Sequence, residues 1–259
     1  MYKENHAVRR GLRAHVAASA LLIAAWHPSV SAALIDFETL VHGEVVTTQF
    51  AASNGVTISA VNFHRRHNLA IVFDSSMTNT SDPDLEGPNW SGGGNLASDT
   101  TLGNLLIVSE KGRQSIPGIV DDPDDEGRRP AGKLIFNFDA PITSFGFDLV
   151  DVESIMAENG YVRFYNQGQR VGQVGFSEFT NPANPNGFFD PFVSFGDNSA
   201  NRITPITAMD LNATEFDKVV IKMGGSGALD NIRYVPEPGT LVLLGMGGLY
   251  LLMRSRKIG

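Results

Sequence analysis

Short segments in which apolar residues alternate with other residues constrain the fold of this chain more than any other feature. Between residues 34 and 235, no long stretch has the 3.6-residue apolar period of an amphipathic helix. Instead, short β-favouring segments are separated by Gly, Pro, Asn and Asp, which break regular structure. Apolar residues recur at every second position in several of them, as in Leu134, Phe136 and Phe138. This period places one side of each strand against a core.

The segments predict an all-β fold. They are Ile35–Glu38, Val45–Phe50, Val56–Phe63, Leu69–Asp74, Leu105–Glu110, Lys133–Phe138, Ile142–Val150, Tyr161–Asn166, Val171–Phe176, Phe192–Phe195, Thr207–Leu211, Lys218–Met223 and Leu229–Tyr234. About a dozen strands in roughly 200 residues predict one antiparallel two-sheet β-sandwich, of the jelly-roll or carbohydrate-binding-module-like kind. The loops at residues 78–101 and 181–187 are long enough to be functional or disordered.

Composition excludes several classes of function. The chain contains no Cys, so it forms no disulfide, thiolate metal site or cysteine nucleophile. Residues 33–238 carry 13 basic and 27 acidic side chains, a net charge of −14. A surface of this sign repels a phosphate backbone, so we expect no nucleic-acid partner.

The N-terminus has the pattern of an export signal. A basic segment that ends at Arg13 is followed by Val16–Trp26, eleven residues that are apolar except for Ser19. Val30, Ser31 and Ala32 then form a small-residue cleavage site. Residues 1–32 are therefore predicted to be a signal peptide, which export machinery recognises and signal peptidase removes.

The C-terminus combines a proline-rich break, an apolar segment and a basic end. Pro236, Glu237 and Pro238 precede Leu241–Met253, thirteen residues without a charge, and the basic cluster 254–257 follows at once. The prolines lack N–H donors, which leaves an extended segment that a protease can grip. The apolar segment predicts a short hydrophobic transmembrane helix that contacts the membrane transiently, and the basic cluster would stay on the cytoplasmic side.

These C-terminal residues closely resemble the PEP-CTERM sorting signal of Gram-negative, biofilm-forming bacteria. The resemblance implies that an exosortase, a membrane transpeptidase-like enzyme, recognises Pro236–Pro238 and cleaves there. It further implies an inner-membrane precursor, a mature form at the cell surface or in the extracellular matrix, and an association with exopolysaccharide. The predicted organisation is a signal peptide at 1–32, a β-sandwich ectodomain at 33–235 and a sorting signal at 236–259.

Calcium is the first candidate ligand of the ectodomain, because Ca²⁺ takes six to eight hard oxygen ligands. Asp82, Asp84 and Glu86 alternate and are followed by Gly87, as in the first half of an EF-hand loop. The twelfth position is Gly93 instead of Glu, so we expect a looser β-sandwich calcium loop.

A second acidic segment offers further oxygen ligands. It contains Asp121, Asp122, Asp124, Asp125 and Glu126, which repel one another unless solvent or a cation neutralises them. The alternative interpretation is a solvated acidic loop. Asp230, beside a Gly-rich turn, is either a further metal ligand or a backbone cap.

Glycan binding is the second candidate. A sugar site combines a flat aromatic face with planar polar groups. Trp90 lies in the long loop, with Asn89 and Asn95 close in sequence, and these three are the predicted ligand-binding residues. Tyr161 and Tyr165 alternate with apolar residues and so point away from the core. The alternative is that these aromatic residues only contribute packing.

An enzyme is the least favoured class. Asp151 and Glu153 could form the carboxylate pair of a glycoside hydrolase, but the longer acidic row of jelly-roll glucanases is absent from the sequence. We therefore predict a non-enzymatic, exported surface or matrix protein that binds calcium and exopolysaccharide. The alternatives are a purely structural matrix or adhesion protein without a sugar site, and a glycoside hydrolase.

Overall fold

A computed structural model describes residues 31–153, 159–184 and 186–237. The strands in this part of the chain are β1 (Ala33–Ile35), β2 (Val56–Asn62), β3 (Ala70–Asp74), β4 (Asn104–Val108), β5 (Gly132–Val150), β6 (Tyr161–Asn166), β7 (Gln169–Gly175), β8 (Ala200–Thr207), β9 (Phe216–Met223) and β10 (Ala228–Pro236). Two short helices, α1 (Ala51–Asn54) and α2 (Phe176–Thr180), and two 3₁₀ turns, Pro83–Leu85 and Met209–Leu211, complete it.

All ten strands belong to one antiparallel sheet. The main path is β3-β4-β10-β5-β9-β6-β7, while β1 pairs with β10, and β2 and β8 both pair with β5. The N-terminal half of β5 lies between β2 and β9, and its C-terminal half lies between β10 and β8. The predicted all-β, antiparallel fold class is confirmed.

Strand β5 folds over at its middle and so makes two layers from one sheet. Gly132 pairs with Met223 and Val150 pairs with Ala228, although only residues 224–227 separate Met223 from Ala228. An unbent strand would hold the ends of β5 roughly 60 Å apart, whereas a linker of that length reaches about 18 Å at most. The rings of Phe136 and Phe145, from the two halves, accordingly lie 5.5 Å apart. Because hydrogen bonds join both layers, the narrower description as a two-sheet, jelly-roll-like sandwich stays a prediction.

The main core lies between the layers and the second core lies under a loop. Phe136, Phe145, Phe147 and Phe164 belong to the main cluster. On the opposite side of β3 and β4, Phe73 packs in a second cluster that also contains side chains of the loop after β3. The loop residues in this second cluster are Leu85, Trp90, Leu96 and Leu102. The layer around β4 is therefore buried on both sides, which explains its unbroken apolar sequence.

Several predicted boundaries need correction. No strand forms at Val45–Phe50 or Phe192–Phe195, and β8 covers residues 200–206, for which the sequence predicted no strand. The two predicted segments Lys133–Phe138 and Ile142–Val150 join into β5. Thr207–Leu211 contains the end of β8 and a 3₁₀ turn. In each case tertiary pairing, which local composition does not report, decides the outcome.

The membrane-related predictions fall mostly on other residues. Within the three described ranges, no helix is long and apolar enough to cross a membrane. The predicted signal peptide and the predicted helix Leu241–Met253 lie outside the described residues, apart from Ser31 and Ala32.

Candidate functional site

Three carboxylates from the two predicted acidic segments meet at one point. One carboxylate oxygen each from Asp82, Asp124 and Asp125 lies within 4.8 Å of the other two. Asp82 precedes the 3₁₀ turn Pro83–Leu85, and the other two lie between β4 and β5. We call these three residues the acidic centre.

The acidic centre is held against strand β4. The amide of Glu110 donates to the Asp124 carbonyl at 2.8 Å, and the amide of Glu126 donates to the Val108 carbonyl at 3.0 Å. Leu85 anchors the other segment, since its side chain is fully buried in the second cluster. Two loops that are far apart in sequence are thereby fixed beside each other.

The hairpin between β9 and β10 closes the acidic centre from another side. The Ser226 hydroxyl lies 3.0 Å from Asp125 Oδ2 and 2.5 Å from Asp151 Oδ2, and its single proton is donated to one of these two oxygens at a time. The amide of Gly227 also donates to Asp125 Oδ2. Asp151, which directly follows β5, further accepts the amide of Asn198 at 2.7 Å. Asp151 is thus a buried neighbour of the centre.

Burial makes ionisation of this cluster costly. Burial, together with the charges of Asp124 and Asp151, raises the pKa of Asp82 to about 7 against a backbone hydrogen bond from Asp125. Burial, and then the charge of Asp82, raise the pKa of Asp125 well above its usual value. Burial raises the pKa of Asp151 to about 6, against hydrogen bonds from Ser226 and Asn198. The cluster therefore favours either bound protons or a cation.

The geometry of the acidic centre fits a hard divalent cation. Two oxygens that each lie 2.3–2.6 Å from one Ca²⁺ ion are at most about 5 Å apart, which the three carboxylates satisfy. They can supply three to six of the required oxygens, depending on how many bind through both atoms. Lys111 competes for part of this charge, because its Nζ lies 3.0 Å from Asp124 Oδ2.

The neighbouring predicted ligands Asp84 and Glu86 face other groups. Glu86 accepts the amide and the hydroxyl of Thr80, at 2.7 and 2.9 Å. Burial raises the pKa of Asp84, and Asp197 raises it further through its charge and a hydrogen bond. Both residues line a polar cleft of about 580 Å³, together with Asn89.

The remaining predicted metal ligands lie apart from the acidic centre. Asp121 accepts the amide and hydroxyl of Ser115, and Asp122 accepts Lys111 Nζ at 2.5 Å. Asp230 is buried opposite Asp148 on β5. Burial, together with the charge of Asp148, raises the pKa of Asp230 to about 8 against a hydrogen bond from the amide of Asn231.

Trp90 is a core residue in the structure. Its side chain is only 2% exposed, and it belongs to the second apolar cluster. Its Nε1 donates to the Thr100 carbonyl at 2.8 Å, and its ring lies against the backbone of Gly87. It therefore offers no free flat face to a sugar. Asn95 is also engaged, since its amide group donates to Asp190 and to the Arg202 carbonyl.

The carboxylates considered for hydrolysis do not form an open pair. Asp151 is buried beside the acidic centre, whereas Glu153 forms an ion pair with Arg129. Asp125 belongs to the acidic centre, and the Ser226 hydroxyl contacts it. The sequence signal for Asp125 was its place in the acidic segment, while Ser226 carried none.

Strand β10 runs from the acidic centre to the proline-rich motif. Ala228 begins the strand beside Gly227, and Val235 and Pro236 end it opposite Ser144 and Ile142 of β5. The amide of Glu237 donates to the Pro141 carbonyl at 2.9 Å. Pro238 and the residues after it lie outside the described residues.

Fold and site together define a class: an antiparallel β-domain with a buried acidic centre, whose last strand leads directly into a C-terminal motif. That motif matches the family model described as the PEP-CTERM protein-sorting motif, at residues 235–257. The chain therefore carries this sorting motif, as predicted, and the motif implies processing by an exosortase.

Comparison with whole proteins adds little. No curated protein is significantly similar in sequence to this chain. Among solved structures, the K2 cleaved adhesin domain of Lys-gingipain is 15% identical, covers 79% of this chain and 99% of its own, and has a TM-score of 0.37. The K1 cleaved adhesin domain of Lys-gingipain from Porphyromonas gingivalis W83 is 12% identical, covers 69% and 97%, and has a TM-score of 0.25. Likeness at this level carries no argument about function.

Proposed function

We propose that this chain is an exported, non-enzymatic protein of a Gram-negative cell surface or extracellular matrix, in which a calcium-stabilised β-domain contacts exopolysaccharide. The observation that carries the proposal is the sorting motif, which begins on the last strand of the folded domain. Signal peptidase and an exosortase would remove the two ends, and the β-domain would be the part that reaches its destination.

Calcium is the proposed cofactor because the acidic centre combines burial with uncompensated charge. Its two buried members, Asp82 and Asp125, both have raised pKa values. A divalent ion would replace the mutual repulsion by attraction and would join the loop after β3 to the loop before β5. The proposed role of the ion is therefore to hold the fold together, and no reaction step is assigned to it.

Contact with exopolysaccharide is supported by the polar cleft beside the acidic centre. Its lining includes Asn89, Ser91 and Asp197, which offer amide, hydroxyl and carboxylate groups to sugar hydroxyls. The amide group of Asn198 donates to the Asp84 carbonyl at 2.9 Å, which fixes one wall of the cleft. Planar polar groups in fixed positions are what sugar hydroxyls require.

The sorting step is tested by replacing Pro236 and Pro238 with Ala in the full chain, expressed in a host that has the matching exosortase. We expect full-length precursor to accumulate in the inner membrane, measured by fractionation and immunoblotting. The matched control is Pro117→Ala, an exposed loop proline within the domain. Normal maturation and release of the double variant would contradict the sorting proposal.

A further inference from the structure

The outer face of one layer has a charge pattern unlike the rest of the domain. Side chains of β5, β6 and β9 that alternate with core residues point away from the main cluster. On β6, Val162 and Phe164 are fully buried, whereas Tyr161, Arg163 and Tyr165 between them are partly exposed. We call the following set the cationic tyrosine face: Lys133, Tyr161, Arg163, Tyr165, Lys218 and Lys222.

Strand pairing sets these side chains in rows across the layer. Lys133 on β5 pairs with Lys222 on β9, which pairs with Tyr161 on β6. Four residues further along β9, Lys218 pairs with Tyr165 on β6 in the same way. Neighbouring strands are about 4.8 Å apart and alternate residues along a strand are about 6.7 Å apart, so the face spans roughly 10 Å across β5, β9 and β6 and roughly 13 Å along them.

The row of residues that lies between these two rows of charged and tyrosine side chains supplies apolar surface. Ile135 on β5 pairs with Val220 on β9, which pairs with Arg163 on β6. Arg163 donates its Nε to Gln173 Oε1 at 2.7 Å, which extends the row to β7. The face is therefore flat, with apolar and aromatic groups between the charges.

The four cations of the face contact aromatic rings, whereas other cations of the domain form ion pairs with carboxylates. Arg163 and Lys222 lie 4.0 and 5.6 Å from the centroid of the Tyr161 ring, and Lys218 lies 5.8 Å from that of Tyr165. In the described ranges, none of the four forms an ion pair with a carboxylate. Elsewhere, cations that do form one are Arg65, Lys111, Arg113, Arg129, Arg202 and Arg233.

The positive charges of the face crowd one another. Burial lowers the pKa of Lys222, and the charges of Arg163 and Lys133 lower it further. A ring contact orients a cation without neutralising it, so the N–H donors stay available to an anion. In a segment of net charge −14, this local concentration of positive charge is an exception that would attract an anionic partner.

We propose that the cationic tyrosine face binds an acidic polysaccharide, that is, a polymer of sugars bearing carboxylate groups. Carboxylates along the polymer complement the lysines and Arg163, while the tyrosine rings and the half-buried Ile135 offer apolar surface to the C–H sides of the sugar rings. An open sheet face of about 10 by 13 Å suits an extended chain that lies across the strands.

A polysaccharide fits this face better than a nucleic acid. Duplex DNA carries one negative charge per about 1.7 Å of its axis, and a duplex on a face this small would extend over the acidic surroundings. A polymer with one charge per sugar carries a lower charge density and can follow the face. The inference rests on the proposed surface location, and it involves neither the acidic centre nor the polar cleft.

Affinity electrophoresis and retention on immobilised polygalacturonate test the inference, with the full chain purified in detergent. The variant Lys218→Glu/Lys222→Glu is compared with Arg113→Glu/Arg128→Glu, which changes the net charge equally at exposed positions outside the face. We expect saturable binding of the wild type that salt weakens, a roughly tenfold or larger loss in the first variant, and a change below about twofold in the control. Equal melting temperatures show that both variants are folded.

Three results would overturn the inference. They are no binding of the wild type to polygalacturonate, equal binding of the two double variants, and equal binding of the wild type to neutral dextran. Duplex DNA and anionic phospholipid vesicles are run in parallel, and tighter binding to either would assign the face to that partner instead. Binding must also survive EDTA, because the face contains no carboxylate ligand. The sorting test on Pro236 and Pro238 is independent, so failure of either proposal is distinguishable from failure of the other.

Discussion

Removing one carboxylate from the acidic centre should change stability in opposite directions with and without calcium. In the cation-free protein, burial raises the pKa of Asp82 from 3.8 to about 7. A carboxyl group whose pKa is higher in the folded state loses folding stability as the pH rises, here from about pH 4 to about pH 7. Above pH 7 the cost is complete and amounts to up to about 4 kcal/mol.

Asp82→Asn removes that cost and keeps the local contacts. Asp82 Oδ2 accepts the amide of Asp125 at 3.3 Å, and the oxygen of an Asn side chain can accept it as well. In EDTA at pH 8, the variant should therefore melt higher than the wild type. For a domain of this size 1 kcal/mol corresponds to about 2–4 °C, so the rise is on the order of 10 °C at most.

Calcium should reverse the order. An ion that binds only the folded wild type adds about 2.7 kcal/mol at 100 times its dissociation constant and about 4.1 kcal/mol at 1,000 times, so the order reverses once calcium exceeds about 1,000 times that constant. The variant loses one of three carboxylate ligands and should gain much less. Differential scanning fluorimetry of both full-length proteins, in EDTA and in millimolar calcium, measures all four melting temperatures.

The matched control is Asp121→Asn in the same acidic segment. Asp121 is not part of the acidic centre, and hydrogen bonds from Ser115 lower its pKa. This control should be slightly less stable than the wild type in both buffers and should keep the calcium response. If Asp82→Asn were destabilising in EDTA as well, or if calcium stabilised it as much as the wild type, the reasoning about this centre would be refuted.

Three further predictions concern single side chains. Asp230→Asn should stabilise the chain by an amount that grows from pH 4 to pH 8. The pKa of Asp230 is raised to about 8, so the wild type loses folding stability over that range. A gain in stability that is constant with pH would contradict this. Gly94→Ala should lower stability by at least about 2 kcal/mol in chemical denaturation, since φ at Gly94 is +119° and the new Cβ would lie 2.0 Å from the Ala200 carbonyl. An unchanged denaturation midpoint would refute this close approach of Gly94 to Ala200. Trp90→Phe should lower the free energy of unfolding by about 1–3 kcal/mol, through lost packing and the lost hydrogen bond to Thr100. Retention on polygalacturonate should not change. Lost retention in a folded variant would indicate that Trp90 contacts the sugar.

The local alternation of apolar and polar residues was sufficient to predict most strands, but not how the strands continue and pair. Leu134, Phe136 and Phe138 all point into the main core, as their spacing indicates. The sequence did not reveal that β5 continues through Asp139 and folds over, because pairing with β9 and β10 on opposite sides determines that path. Strand β8 was missed because its pairing with β5, rather than a clear alternation, defines it.

The acidic character of the two segments was predictable, whereas which of their carboxylates meet at one point was not. Composition identified both acidic segments, and burial of Asp82 beside Asp125 depends on how two loops pack against β4. Trp90 shows that a polar segment can also contain a buried residue. Its neighbours in sequence are polar and Gly-rich, yet the loop folds back over β3 and β4 and buries the ring. Polarity of a loop does not report whether it covers a second core.

The position of the sorting motif on β10 bears on the order of folding and processing. Glu237 is attached to the domain by a backbone hydrogen bond to Pro141 and by a side-chain hydrogen bond with Glu215, and such bonds contribute about 1 kcal/mol net each. Pro236 has no N–H to donate, so releasing this end of the strand costs little. The upstream part of β10 is paired with β5 on one side and with β4 and β1 on the other, so it stays in place. We therefore infer that a protease can take hold of the motif while the domain remains folded, and that processing does not require the domain to unfold.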